Sequence, residues 1–295
     1  MPILFGVTFL TFAMMQFAAD DAVDKIFEQT GGVSDEIKAA KRAELGLDKN
    51  FLVQYATWLE KFLTGDLGAS FISGRPVFET FAEKLPATVE LMLVSILLTV
   101  TVATPLGIFA AVKQNRPLDY LIRALTFVGN SMPNFFVGLL LIYVLALKLK
   151  FFPIISGENV ILPALTLTIS MAAKYTRQIR AVILEELDKP YVIGARSRGV
   201  DERTILIKSV LRSSLIMIVT LLALSIGSLL GGTAIVETIF MWDGVGKMAV
   251  DAILMRDYPI IQAYVVWMST IYVLVNLSAD LLYYFLDPRV RYGEA

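Results

Sequence analysis

The chain has 295 residues, 56% hydrophobic and 18% charged, with 26 basic against 27 acidic side chains and a mean hydropathy of +0.67. A soluble domain carries about 25% charged and about 45–50% apolar residues, so this chain lacks the polar surface to cover itself in water and reads as an all-α integral membrane protein. A net charge of −1 argues against a nucleic-acid partner, and the absence of both Cys and His removes disulfides, thiol catalysis, the commonest general base and the commonest transition-metal ligand. No metal site, no cofactor and no catalytic residue are expected on the chain.

Crossing a hydrocarbon core of about 30 Å takes about 20 apolar residues in a helix. Six such runs follow one another, at 2 to 18, 87 to 112, 134 to 152, 161 to 184, 213 to 236 and 260 to 286. The first begins at Met1-Pro2 without the basic flank of a signal peptide, and residues 1–18 are read as a first transmembrane helix that is N-terminally incomplete. Residues 19–85, with eight basic and twelve acidic side chains, are predicted to form a helical extracytoplasmic loop subdomain. Ser34 is placed to cap a helix running to about Glu44, Leu45-Gly46-Leu47-Asp48 to break it, and Leu52, Tyr55, Leu59 and Phe62 to share one face of the next. Residues 86–286 are read as a five-helix transmembrane domain, and 287–295 as a tail.

Orientation follows from basic residues in the connections. Lys113, Arg116 and Arg123 lie in the second, nine basic residues against five acidic ones lie between Lys174 and Arg212, and Arg289 and Arg291 lie in the tail. These segments share one side, predicted cytoplasmic, with both termini inside. The long 19–85 connection is translocated largely regardless of its charge.

Residues 185–212 are the informative stretch. The run from Glu185 to Thr204 has helical spacing on both sides of a glycine and is too polar for the bilayer core, so a short helix, a turn and a second helix are predicted at the cytoplasmic surface. Two readings stand: an anchor on anionic lipid, and a docking surface for a large partner.

Ala195-Arg196-Ser197-Arg198-Gly199, followed by Leu206-Ile207 and Leu211-Arg212-Ser213, resembles the EAA loop of ATP-binding-cassette (ABC) importer permeases, in their dipeptide, oligopeptide and nickel branch. The resemblance runs over almost the whole chain. It continues through Leu45-Gly46-Leu47-Asp48, Gly65-Asp66-Leu67-Gly68, Leu85-Pro86-Ala87-Thr88, Ser131-Met132-Pro133-Asn134, Glu237-Thr238-Ile239-Phe240, Arg256-Asp257-Tyr258-Pro259 and Asp287-Pro288-Arg289. There are departures. Ile193 stands where the general pattern has an acid, Gly194 where it has Ala, Pro190 where the branch often has an acid, and Asp243 where Pro is expected after Trp242.

The resemblance implies a six-helix permease with a cytoplasmic coupling loop, an importer of nickel, as a chelate, or of dipeptides or oligopeptides. Implied partners are a second homologous permease in a heterodimer, two ABC ATPase subunits that bind ATP and Mg²⁺, an extracytoplasmic substrate-binding protein, and membrane lipid. The chain itself is then a transport subunit and not an enzyme. Coupling is assigned to Tyr191, Ala195, Arg196, Arg198, Gly199 and Glu202.

Other residues keep two readings each. Gly227 and Gly231 form a small-xxx-small pattern for helix packing, within the bundle or against a partner. Glu90 and Glu237 either face a translocation path or are solvated at the interface. Asp280 lies about 10 Å from the end of the last run at helical rise, as an intramembrane acid of the path or as the partner of a cytoplasmic Arg. Tyr143, Tyr264, Trp267, Tyr272, Tyr283 and Tyr284 read as interface belts. The rival class is an ion-coupled secondary transporter or channel, which would need charges near mid-membrane and repeat-related broken helices. An intramembrane enzyme would need paired aspartates or an activated Ser, and neither pattern is present.

Overall fold

The computed structural model describes residues 2–16, 22–28, 33–153 and 159–286; Met1, Asp20, the Asp287-Pro288-Arg289 motif and the 287–295 tail lie outside the described residues. Every extended element among them is helical, and the β pairing is limited to an isolated bridge between Ala69 and Pro76. All six apolar runs contain helix. The chain divides into two compact units, Met1–Thr88 with Asp243–Tyr272, and Val89–Trp242 with Val273–Ala295.

The first unit holds α1 (Pro2–Gln16), α2 (Ala22–Glu28), α3 (Asp35–Leu45), α4 (Phe51–Leu63), the start of α5 (Val77–Val112), α12 (Val245–Met255) and the first part of α13 (Tyr258–Leu286). Helix α3 begins after Ser34 and ends at Gly46 in the left-handed conformation, as its sequence predicts, but the Ser34 side chain makes no capping bond. Its carbonyl instead accepts from the Ile37 and Lys38 amides. In α4 the expected face is displaced: Leu52 is 63% exposed, and the aromatic row is Phe51, Tyr55, Trp58 and Phe62. That i, i+4, i+7, i+11 spacing presents Phe51 and Tyr55 to Phe9 and Phe12 of α1, with ring centroids 5.3–5.6 Å apart. Lys38 and Arg42 of α3 both pair with Asp24 of α2.

The loop after α4 is pinned by a buried carboxylate. Asp257, just before α13, accepts from the Ser70 hydroxyl at 2.5 Å and the Phe71 amide at 3.0 Å. Burial pushes its carboxyl above the ordinary Asp range despite these donors. Trp267, read from sequence as part of an interface belt, packs its ring 4.4 Å from the buried Phe81 ring.

The second unit contains most of α5, α6 (Pro117–Ser131), α7 (Asn134–Leu141) extended by a π-helical stretch (Ile142–Lys148), α8 (Ile161–Leu187), α9 (Pro190–Ser197), α10 (Glu202–Thr204) with a π-helical stretch (Ile205–Val210), α11 (Leu211–Phe240) and the end of α13. Helix α6 occupies the second connection, where the sequence predicts no span. Its Leu121, Leu125 and Phe127 are exposed, and α6 with the following helix makes a pair bent by 103°. Pro133 lacks an amide donor and drives Met132 into extended backbone, which ends α6 there. By length and composition, Val77–Val112 and Tyr258–Ser278 can each cross a membrane, and the bent pair makes a third such segment.

Helix α8 is the centre of the second unit. Ala172, Tyr175, Ile179 and Ile183 pack with Ala103 and Ala111 of α5, Val192 of α9, and Ile205, Val210 and Ile218 beyond it. A Cβ added at Gly107 of α5 would lie 2.7 Å from Ile179 Cγ2, so α5 packs closely on α8 there. The run read as 161 to 184 also carries Lys174, Arg177 and Arg180. Arg180 makes a two-pronged pair with the fully buried Asp119 of α6, each contact 2.8 Å.

Candidate functional site

The segment leaving α8 builds a helix, a tight turn and a second helix. Pro190 occupies the first position of α9, where a missing amide costs nothing; the departure at this position therefore suits the helix start. Val192 is fully buried in the α8 core, and Ala195 packs against it. Tyr191 donates its hydroxyl to Glu186 Oε1 at 2.8 Å, and Lys189 pairs with the same carboxylate. Burial alone would raise the Glu186 pKa, but the Lys189 and Tyr191 donors outweigh it and hold the carboxyl below the ordinary Glu range. Burial and the neighbouring carboxylate together raise Tyr191. These contacts seat α9 on the end of α8.

The turn is set by Gly199, whose φ is +77° and whose amide donates to the Arg196 carbonyl at 2.9 Å. No atom lies within 4 Å of a Cβ built there, so the constraint is backbone conformation and not space. Asp201 caps the next helix by accepting from the Arg203 and Thr204 amides. Arg196 bridges the turn, with Nε and Nη2 donating to Glu202 at 2.7 and 3.2 Å. This pairing holds Glu202 below the ordinary Glu range. Ile193, Ser197, Arg198, Val200 and Arg203 remain exposed around the tip.

The structure thus brings Tyr191, Ala195, Arg196, Arg198, Gly199 and Glu202 together in one helix–turn–helix segment, its base anchored by buried apolar residues. Glu237 is fully buried, which corrects the reading of it as an interfacially solvated acid. Glu90 is exposed on α5. The Asp280 side chain and the surroundings of Gly231 lie outside the described residues, and Gly227 is buried within α11. Three closely approached glycines, Gly107, Gly129 and Gly138, escape the sequence reading. Their Pro-Leu-Gly and Val-Gly contexts carry no spacing that distinguishes them from ordinary helix glycines. Lys174, counted above with a connection, lies midway along α8.

Residues 103–292 match the family described as binding-protein-dependent transport system inner membrane component, and residues 1–92 match its N-terminal membrane component. The oligopeptide transport system permease protein AppB of Bacillus subtilis (strain 168) is 36% identical, covering 99% of this chain and 96% of that protein. The nickel import system permease protein NikB of Staphylococcus aureus (strain bovine RF122) is 35% identical, covering 98% and 88% respectively. An inward-facing structure of the MetNI methionine ABC transporter shares the fold, with a TM-score of 0.63 at 15% identity, over 71% of this chain and 97% of that one. The chain belongs to the inner membrane component family of binding-protein-dependent transport systems, and is a multi-pass permease subunit of an ABC importer.

Proposed function

We propose that the chain forms one half of a translocation path for small peptides or nickel chelates, and that the segment 185–212 receives the force of ATP hydrolysis from separate ATPase subunits. The observation that carries the coupling assignment is the exposed α9–Gly199–α10 turn, seated on α8 by Val192 and by the Glu186 contacts with Tyr191 and Lys189. A rigid tip joined to the spans transmits a docking motion to them, so nucleotide state can bias an equilibrium between inward and outward openings. Arg196 and Glu202 stiffen the tip, Arg198 and Ile193 offer contact surface, and Gly199 makes the turn.

The second half of the path belongs to a homologous but distinct permease. Cargo arrives from an extracytoplasmic binding protein, with residues 19–85 on that side and both termini inside. The chain has no imidazole and no thiol, so selection of a bare nickel ion belongs to the external protein. Relatives of nearly equal similarity are named for oligopeptide and for nickel transport, which supports both cargo classes. Glu90 and Asp280 are proposed path residues, whereas Glu237, fully buried within the subunit, is not.

The test is ATP-dependent uptake by the importer reconstituted with its binding protein, ATPases and partner permease, offered trialanine or nickel citrate. Uptake of at least one, lost when ATP is withheld, is the expected result. Uptake driven by a proton gradient without ATP would favour the secondary-transporter reading.

A further inference from the structure

We infer that Lys174, with Asn130 and Asn134, forms a carboxylate-binding subsite at the break between α6 and α7, through which the anionic end of the cargo passes; this rests on the permease reading above.

The break supplies the first observation. Helices bent by 103° at Ser131–Pro133 leave a short non-helical link, with Ser131 and Pro133 exposed on the isolated chain, and within a membrane such backbone is tolerated where it meets protein or lines a watery cavity. Discontinuous helices recur at substrate sites for that reason. A hollow of about 210 Å³ adjoins the break, with Asn130, Asn134, Ser170 and Lys174 as its polar lining and Met171 and Leu229 among its apolar walls.

The position of Lys174 supplies the second. It lies thirteen residues from either end of α8, about 20 Å along the axis, and its side chain is exposed on the isolated chain. Among the described residues no acidic group lies within ion-pair distance of it, and its contact is with the face of the Tyr175 ring, 5.5 Å to the centroid. Arg180, two turns along, is neutralised by Asp119. No carboxylate of the hollow neutralises this ammonium, which leaves it free to pair with an anion there.

The donor set supplies the chemistry. Ser170 donates to Asn134 Oδ1 at 2.6 Å, which fixes the start of α7 against α8 and leaves the amide NH₂ of Asn134 as a donor. The hollow therefore gathers an ammonium and carboxamide donors at the N-terminal end of a helix, with no carboxylate in its lining. Such a set accepts an anion and repels a cation. A peptide C-terminus and the carboxylate of a metal chelator present the same group.

The experiment exploits the absence of Cys. In the assembled importer, Lys174→Cys is modified either with aminoethyl methanethiosulfonate, which restores a positive charge, or with sulfonatoethyl methanethiosulfonate, which adds a negative one. Uptake of trialanine and of nickel citrate is followed. The unmodified variant should show about tenfold lower uptake, as expected for losing a charge-assisted hydrogen bond. The aminoethyl reagent should recover it and the sulfonatoethyl reagent should not, and whichever cargo slows modification identifies the carboxylate's source. Because the reagents act on complexes already assembled, misfolding cannot mimic this pattern. A thiol at position 174 that no reagent reaches in the assembled importer would assign Lys174 to the subunit interface and overturn the inference. Wild-type uptake whatever the charge at 174 would also overturn it. Failure of the unaltered importer to take up either cargo with ATP would instead refute the permease cargo reading itself.

Discussion

Gly199 and Gly107 show two different reasons for a residue to be glycine. At Gly199 the surroundings are open and only φ is restrictive, so a β-branched side chain costs on the order of 1–3 kcal/mol in local strain without disturbing a neighbour. At Gly107 the conformation is ordinary helix, but a Cβ would stand 2.7 Å from Ile179 Cγ2 and 3.0 Å from the Thr176 carbonyl oxygen. Replacing Gly107 by Ala should therefore force α5 and α8 apart and lower stability by about 1–3 kcal/mol. A reduced thermal midpoint of the detergent-purified protein checks this, with Gly129→Ala as the milder comparison because its nearest atom, the Ala173 Cβ, lies at 3.1 Å. The positive φ at Gly199 is legible in the sequence because a helix-period run needs a turn there. The approach at Gly107 is not, since it depends on which face of α8 meets α5.

At the scale of elements, the α9–Gly199–α10 turn follows from helical spacing on either side of a glycine. Helix α7 falls in the run read as 134 to 152, but α6 escapes the sequence reading because Lys113, Arg116 and Arg123 mark the region as a connection, although only the first part of α6 carries that charge. In α4 the pattern admits rows starting at Leu52 or at Phe51, and the aromatic surface of α1 selects the latter. Two carboxylates give the α9–Gly199–α10 turn a pH dependence of defined sign. Glu186 and Glu202 both have lowered pKa values, so their support is present above the ordinary Glu range and is lost as pH falls through the lowered values. Hydrogen-exchange protection of residues 190–204, corrected for intrinsic exchange, should fall over that acidic range. Combining Glu186→Gln with Glu202→Gln should lower protection at neutral pH and abolish this dependence; protection unchanged by the double substitution would show that the two pairs do not hold the turn.

The whole molecule is recognisable as a membrane protein from composition alone, because nothing else accommodates so much apolar surface. Its orientation is a further expectation. In cells, Ser197→Cys should react only with membrane-permeant thiol reagents, while Ser73→Cys should react with impermeant ones; the reverse pattern would invert the topology. The most direct test of energy coupling compares Gly199→Val with the paired change Arg196→Gln and Arg198→Gln, measuring co-purification of the ATPase subunits and cargo uptake at matched expression. The account predicts that Gly199→Val still inserts in the membrane but loses both ATPase retention and uptake. Wild-type retention and uptake for Gly199→Val, with both lost in the Arg variant, would contradict it and assign the turn an electrostatic role.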